Sequence, residues 1–348
     1  MCKRRYKGSS IGWIISEKID DRKRLYLIGK VVIVINIVNI SDKYIEEITN
    51  LWNSNYKAQY CVSSKMIKQK IFDDRDTFKN GSFFIEEQGK LIGFIVSKIN
   101  NSGLEEYNNC GWISTILVDK EFQGKGYGSR LLKRCEEELL KEGVKKIILG
   151  GEMDNFFSGI ADPDEYKIEF FRKRGYTINC ENHFDLIEDV SNTDFDSFNV
   201  TKNESCELST IVYTEEYEKK LDSFFDKTFP GRWKYEIMSY IRDRQDYRNV
   251  LILLHKDEII GFCKIFKSEG IIDYDFLYGR EYGALGPIGI AEDYRGKGVG
   301  NRILYDSLNF LKRRGAHNVL IDWTILKDFY GQFGFTPFKT YRGAYKTI

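Results

Sequence analysis

Apolar positions follow two rhythms along this chain. Runs such as VVIVINIV (31–38), SFFIEE (82–87), KLIGFIVSK (90–98) and WISTILV (112–118) are rich in β-branched and aromatic residues with few breaks. Such runs predict strands buried on one or both faces. Between them apolar residues recur every three or four positions, the spacing of a helix with one face inward. Helices are predicted from Ser41–Asp42, which can cap, to about Asn53, around Lys65–Phe72, from Tyr127 to Glu142 with a stop at Gly143, and near Asp164–Arg174. Gln88–Gly89 marks a hairpin turn, and strands at Lys145–Leu149 and Thr177–Ile187 complete the series.

The series then returns. A strand is predicted near Leu208–Tyr213, helices near Glu215–Lys227 and Trp233–Asp243, and a hairpin over Val250–Phe266. Strand Gly283–Ile290, helix Gly298–Arg314, strand His317–Asp322, helix Ile325–Phe333 and a closing strand follow. Residue by residue, GWISTILVDKEFQGKGYGSRLLKRCEEELLKEGVKKIILGG matches GALGPIGIAEDYRGKGVGNRILYDSLNFLKRRGAHNVLIDW. Gln123 aligns with Arg295 and Gly143 with Gly315, both at an offset of 172 residues. KLIGFIVSKI (90–99) likewise pairs with EIIGFCKIFK (258–267), and FFRKRGY (170–176) with FYGQFGF (329–335). This is internal duplication. The expected architecture is α/β, with a mixed sheet in each of two tandem domains, 31–190 and 208–348. The polar stretch 191–207 reads as a linker, and residues 1–30 as a loose extension before the first recognisable element.

Composition narrows the function. The 348 residues carry 53 Lys+Arg against 52 Asp+Glu, a net charge of +1. A nucleic-acid binder relies on a basic excess to displace counterions, so that partner is not expected. Seven cysteines without a CxxC pair, odd in number and in a long chain, fit reduced thiols in the cytoplasm. Three scattered histidines offer no metal spacing, and no metal is expected. The apolar run Leu25–Val38 contains Lys30 and Asn36 and is too short to span a bilayer, so no membrane role is expected. Oligomeric state is not legible.

The sharpest local signals are two glycine loops, QGKGYG (Gln123, Gly124, Lys125, Gly126, Tyr127, Gly128) and RGKGVG (Arg295, Gly296, Lys297, Gly298, Val299, Gly300). Each joins a strand to a helix. Glycine lets the backbone turn tightly, so successive amides converge at the positive end of the helix dipole and form an anion cradle suited to a pyrophosphate. Neither loop has the GxxxxGK[ST] of a nucleotide P-loop. Both come late in their domains, after an antiparallel hairpin, unlike a dinucleotide fingerprint.

In these loops, in [QR]xxGx[GA] form, and in the elements around them, the chain resembles the GNAT superfamily of acetyltransferases over about residues 31–190 and 208–348. The resemblance implies acyl-coenzyme A-dependent N-acyltransferase domains, each with a sheet splayed at a mid-strand bulge. It implies acetyl-CoA as cosubstrate, the loop amides on its pyrophosphate, and strand Gly283–Ile290, through Ile288, Gly289 and Ile290, along the pantetheine. In the family an FYxxxGF tyrosine protonates the departing thiolate. Tyr330 holds that place in the second copy, whereas Phe171 holds it in the first. The second copy is therefore the expected catalytic one, since general-acid help contributes about 10²–10⁴ in rate.

A base is harder to read. Strand Gly283–Ile290 carries no acid, which leaves Asp322 at the end of the next strand, Glu281 just before strand Gly283–Ile290, or a water chain. The first copy also carries 13 additional residues around EMDNFFSGIADPD (152–164). They either cover a pocket, meet the second domain or form a surface excursion. The aromatic run Tyr274–Tyr282 walls a substrate pocket or forms an exposed hairpin. The leading expectation is an N-acetyltransferase acting on a primary amine of a small molecule or peptide. The alternative is a non-catalytic acyl-CoA-binding regulatory module.

Overall fold

A computed structural model describes residues 14–18, 23–28, 31–195, 208–244, 247–268 and 274–348. The first half runs β1 (Ile14–Lys18), β2 (Lys23–Ile28), β3 (Val31–Asn39), α1 (Ile45–Asn55), α2 (Ser64–Ile67), β4 (Phe83–Glu87), β5 (Lys90–Ile99) and β6 (Cys110–Val118). It continues with α3 (Tyr127–Lys141), β7 (Lys146–Leu149), β8 (Ile160–Ala161), α4 (Glu165–Arg172) and β9 (Thr177–Asp189). The second half begins with β10 (Leu208–Val212), α5 (Glu218–Thr228), α6 (Arg232–Arg244), β11 (Val250–His255), β12 (Glu258–Lys267) and α7 (Asp275–Tyr278). It ends with β13 (Gly283–Ile290), α8 (Val299–Arg313), β14 (Asn318–Thr324), α9 (Lys327–Gly331) and β15 (Thr336–Thr347).

Local chemistry explains most boundaries. Ser63 and Asp164 cap α2 and α4 by accepting the amides of Met66 and Lys167. Ser41 makes no such bond, and a 3₁₀ turn over Asp42–Tyr44 leads into α1 instead. Gln88 and Gly89 both take positive φ in the turn between β4 and β5. Within the stretch read as a loose extension, 14–18 and 23–28 form a hairpin that continues the sheet outward from β3. Polar Glu17, Lys18, Lys23 and Arg24 interrupt its apolar pattern. Residues 1–13, 19–22 and 29–30, and residues 196–207 of the expected linker, lie outside the described residues.

The strands form one mixed sheet, ordered β1-β2-β3-β4-β5-β6-β7-β15-β9-β14-β13-β12-β11-β10, with β8 paired to β15. Its centre departs from a simple tandem arrangement, because the closing strands cross. β15, from the second half, pairs with β7 of the first, Tyr345 opposite Ile148. β9, from the first half, pairs with β14 of the second, Leu320 opposite Ile187. The exchanged strands then pair with each other, Tyr341 opposite His183. Side chains follow the exchange. Ala344 of β15 packs in the core of the first half with Leu131, Ile147 and Phe171. Leu186 of β9, fully buried, packs in that of the second with Leu285, Ile303 and Phe333.

Two further contacts fix the halves together. Arg232, at the start of α6, donates to the main-chain oxygens of Gly151 (2.7 Å), Glu152 (2.9 Å) and Met153 (3.2 Å), and its guanidinium lies over the Trp323 ring. Tyr60 donates its hydroxyl to the Thr340 oxygen on β15 at 2.9 Å and accepts the Thr340 amide at 2.8 Å.

Candidate active site

Each half splays at the same place. β6 and β7 pair in parallel from Cys110/Lys146 to Ile113/Leu149 and then part. β13 and β14 pair only at Gly283/Val319 and Ala284/Leu320. Where they part, the central strand bulges. Ser114 is the extra residue between the pairs Ser97–Ile113 and Val96–Thr115. Gly286–Pro287 faces Lys264 between the pairs Ile265–Leu285 and Cys263–Ile288. A bulge bends its strand, so a V-shaped opening follows with one free edge on the central strand.

The glycine loops sit at the mouth of each opening. Gly124, Gly126, Gly296 and Gly298 have φ of +75°, +84°, +71° and +76°, the left-handed region that glycine enters without penalty. Gly126 and Gly298 are the N-caps of α3 and α8. A Cβ added at Gly124, Gly126 or Gly296 would meet nothing within 4 Å, so both loops have an open outward side. Gln123 Nε2 donates to the Val118 oxygen (2.9 Å), and Arg295 Nε to the Ile290 oxygen (3.0 Å). These are equivalent positions. The polar residue opening each loop thus ties the loop back onto its strand. In the second half the Ala291 amide bonds the Ile260 oxygen (2.8 Å) and Gly289 pairs with Phe262. Antiparallel alternation then turns the Gly289 amide and carbonyl to β12, and those of Ile288 and Ile290 to the free edge.

Two cavities adjoin the splays. The larger, about 570 Å³, lies in the first half between the free edge of β6, the QGKGYG loop and α4, with Phe171 and Arg174 on its wall. The smaller, about 310 Å³, lies between the halves, against Leu285 and Gly286 of the second bulge, Asp322, and Asp185, Lys339 and Tyr341 of the exchanged strands. The 152–164 insertion separates them. Phe157 and Gly159–Asp162 face the larger cavity, and Asn155, Phe156 and Ser158 the smaller. The Phe156 and Phe157 rings stack at 4.9 Å. The insertion therefore walls pockets and meets the second half, as Arg232 shows, and is no surface excursion. Tyr274, Tyr278 and Tyr282 line the smaller cavity, so the aromatic run is a wall and not an exposed hairpin.

The sequence-selected side chains separate. Asp322 lies on the smaller cavity, its Oδ1 3.8 Å from where a Cβ on Gly286 would sit, and has no hydrogen bond or ion pair among the described residues. Tyr330, on α9, is 4% exposed among Phe329 and Phe335 and lines neither cavity. Burial raises its phenol pKa above the ordinary tyrosine value, with Cys263 and Asp322 adding to the rise. Glu281 touches neither cavity. It is paired with Lys267 at 2.7 Å, and that bond lowers its pKa. Sequence reading missed Asp185, whose carboxylate accepts from Tyr341 (3.1 Å) and the Trp323 amide (3.2 Å) and lies 3.7 Å from Lys339 Nζ. It also missed Lys98, fully buried between Asp74 (2.7 Å) and Glu152 (3.1 Å), with Ser114 of the first bulge bonded to Glu152.

A splayed mixed sheet with a glycine-capped helix at each opening defines the acetyltransferase class of α/β folds. The profile described as "Acetyltransferase (GNAT) family" matches residues 45–176 and 216–335, and the chain belongs to that family. An uncharacterised N-acetyltransferase of Methanocaldococcus jannaschii is 28% identical over 98 residues, which cover 28% of this chain and 39% of that relative. The chloroplastic GCN5-related N-acetyltransferase 2 of Arabidopsis thaliana is 27% identical over 120 residues, 33% of this chain and 44% of the relative. The matched segments thus span under half of either relative. Among solved structures, a tandem GNAT protein from the clavulanic acid biosynthesis pathway shares the fold over 90% of this chain and 98% of its own, with TM-score 0.61 and 13% identity. No helix among the described residues is long and apolar enough to cross a membrane.

Proposed function

We propose that the chain is a cytoplasmic acetyl-CoA-dependent N-acetyltransferase whose second half carries the reaction, with a primary amine accepted in the cavity between the halves. The observation that carries this is Asp322, an exposed carboxylate with no hydrogen bond or ion pair among the described residues, on a cavity that reaches the second bulge. Family membership supports acetyl transfer, and the second splay fits the cosubstrate. Its loop is open outward at Gly296, and the main-chain groups of Ile288 and the amide of Ile290 lie along the free edge of β13.

When bound there, the thioester supplies an activated acetyl group. Asp322 takes one proton from the acceptor ammonium, which frees the nitrogen lone pair. As the C–N bond forms and the C–S bond breaks, Tyr330 gives its phenolic proton to the sulfur. The excess proton on nitrogen returns to the phenolate, and Asp322 releases its own to water. The balance is one amide, one thiol and one proton. Burial keeps Tyr330 protonated between turnovers.

A thiol-release assay across a panel of primary amines tests this. Wild type releases coenzyme thiol only when an amine is present. Asp322→Asn lowers kcat/KM by about 10²-fold or more, while calorimetry gives unchanged acetyl-CoA affinity. Binding without release for any amine supports the second reading, a regulatory module, which Phe171 in the first half and the recessed position of Tyr330 favour.

A further inference from the structure

We infer that the cavity between the halves selects a compact amine bearing a second hydrogen-bond donor, an amino alcohol or amino sugar, and that the insertion of the first half sets this choice. The inference rests on the reading that transfer occurs in the second half. It starts from which polar groups in the cavity are already satisfied.

Asp185 is satisfied by Tyr341, the Trp323 amide and Lys339. Lys339 also donates to the Tyr278 hydroxyl (2.7 Å), and the Tyr240 hydroxyl accepts from Asn249 (2.7 Å). These side chains present mainly ring faces and closed ion pairs to the interior. Cavity acceptors that make no hydrogen bond among the described residues include the exposed Asp322 carboxylate, the Tyr274 hydroxyl, and Asn155 Oδ1, which is buried while its amide nitrogen bonds Ser158 Oγ at 3.1 Å. A buried acceptor left unmet costs its desolvation, so a ligand that brings donors to Asn155 and Asp322 is favoured over one that meets only Asp322.

Ring faces suit the ammonium and the C–H faces of such a ligand. Charge and size agree. The free carboxylate prefers a cation, and about 310 Å³ lies at the lower end of the roughly 300–1,000 Å³ of small-molecule sites. A peptide chain needs a groove that continues past the amine, and Phe156 stands here with its ring stacked on Phe157. The second donor is read by Asn155, which belongs to the 13 residues that the first copy has and the second lacks.

The test uses the full chain with glucosamine, ethanolamine, n-butylamine and a tetrapeptide as acceptors. Glucosamine and ethanolamine are expected to give kcat/KM at least about tenfold above n-butylamine, the scale of one satisfied buried acceptor, with the peptide lower still. Asn155→Ala is expected to raise KM for glucosamine roughly two- to tenfold, a larger change than for n-butylamine, which brings no second donor. Asn155→Asp, which keeps an acceptor, is expected to restore the glucosamine KM. Thermal stabilisation by glucosamine without cosubstrate, absent in Asn155→Ala, supports the pocket even if no transfer is seen, so its failure and that of the transfer reading are distinguishable. Peptide turnover equal to that of glucosamine, or an unchanged glucosamine KM in Asn155→Ala, overturns the inference.

Discussion

Replacing Tyr330 by phenylalanine removes one oxygen and leaves the ring packed against Phe329 and Phe335 at centroid distances of 5.0 and 6.3 Å. The phenol makes no hydrogen bond to another described residue, so its loss breaks no internal bond and the melting temperature should stay within about 2 °C of wild type. Catalysis is affected differently. A positioned general acid contributes about 10²–10⁴ in rate, or roughly 2.7–5.5 kcal/mol of barrier. Burial raises the phenol pKa, so the proton is present at neutral pH and is lost only well into the alkaline range. Steady-state thiol release should therefore show kcat down by about 10²–10⁴ in Tyr330→Phe at pH 7, with the wild-type alkaline limb free of a tyrosine loss below about pH 10. Equal kcat for both proteins from about pH 6 to 10 refutes the assignment.

The remaining predictions concern the exchanged strands, a buried charge and the thiols. Leu186→Ala, on β9 of the first half but inside the core of the second, should cost about 2–5 kcal/mol and lower one cooperative calorimetric transition; two independent transitions would argue against interlocked halves. Lys98→Ala leaves the buried Asp74 and Glu152 carboxylates unpaired and should destabilise by about 3–5 kcal/mol, read from urea midpoints; a loss under about 1 kcal/mol contradicts the burial of this trio. Burial pushes the Cys135 and Cys263 thiols up to about 12, so at about pH 8 iodoacetamide should label them only after unfolding, while exposed Cys180 reacts in the native protein; mass spectrometry after short labelling decides.

Much of the fold was legible because local rules and global structure agree. The β4–β5 turn, α3 ended by Gly143, β13 and both glycine loops follow from residues close in sequence. The exchange of β9 and β15 was not legible, because alternation tells which face of a strand is buried and not which strand lies beside it. Asp185 and Lys339 escaped notice for the same reason: they meet only through that exchange. Asp322 was found from its place at a strand end and lies on a cavity, whereas the same logic also selected Glu281, which Lys267 holds outside both cavities. Asn155 lay in an insertion with no counterpart in the second copy, so the duplication gave it no role.

The claim on which the rest depends is that transfer occurs at the second splay. Valine is strained at the left-handed φ of Gly298 or Gly126, so each substitution distorts one loop at a time. Initial rates of acetyl transfer from acetyl-CoA to a primary amine, measured for Gly298→Val and Gly126→Val side by side, test the claim most directly. The account predicts a loss of about 10²-fold or more in Gly298→Val and a rate within about threefold of wild type in Gly126→Val. Transfer that survives in Gly298→Val and fails in Gly126→Val contradicts it.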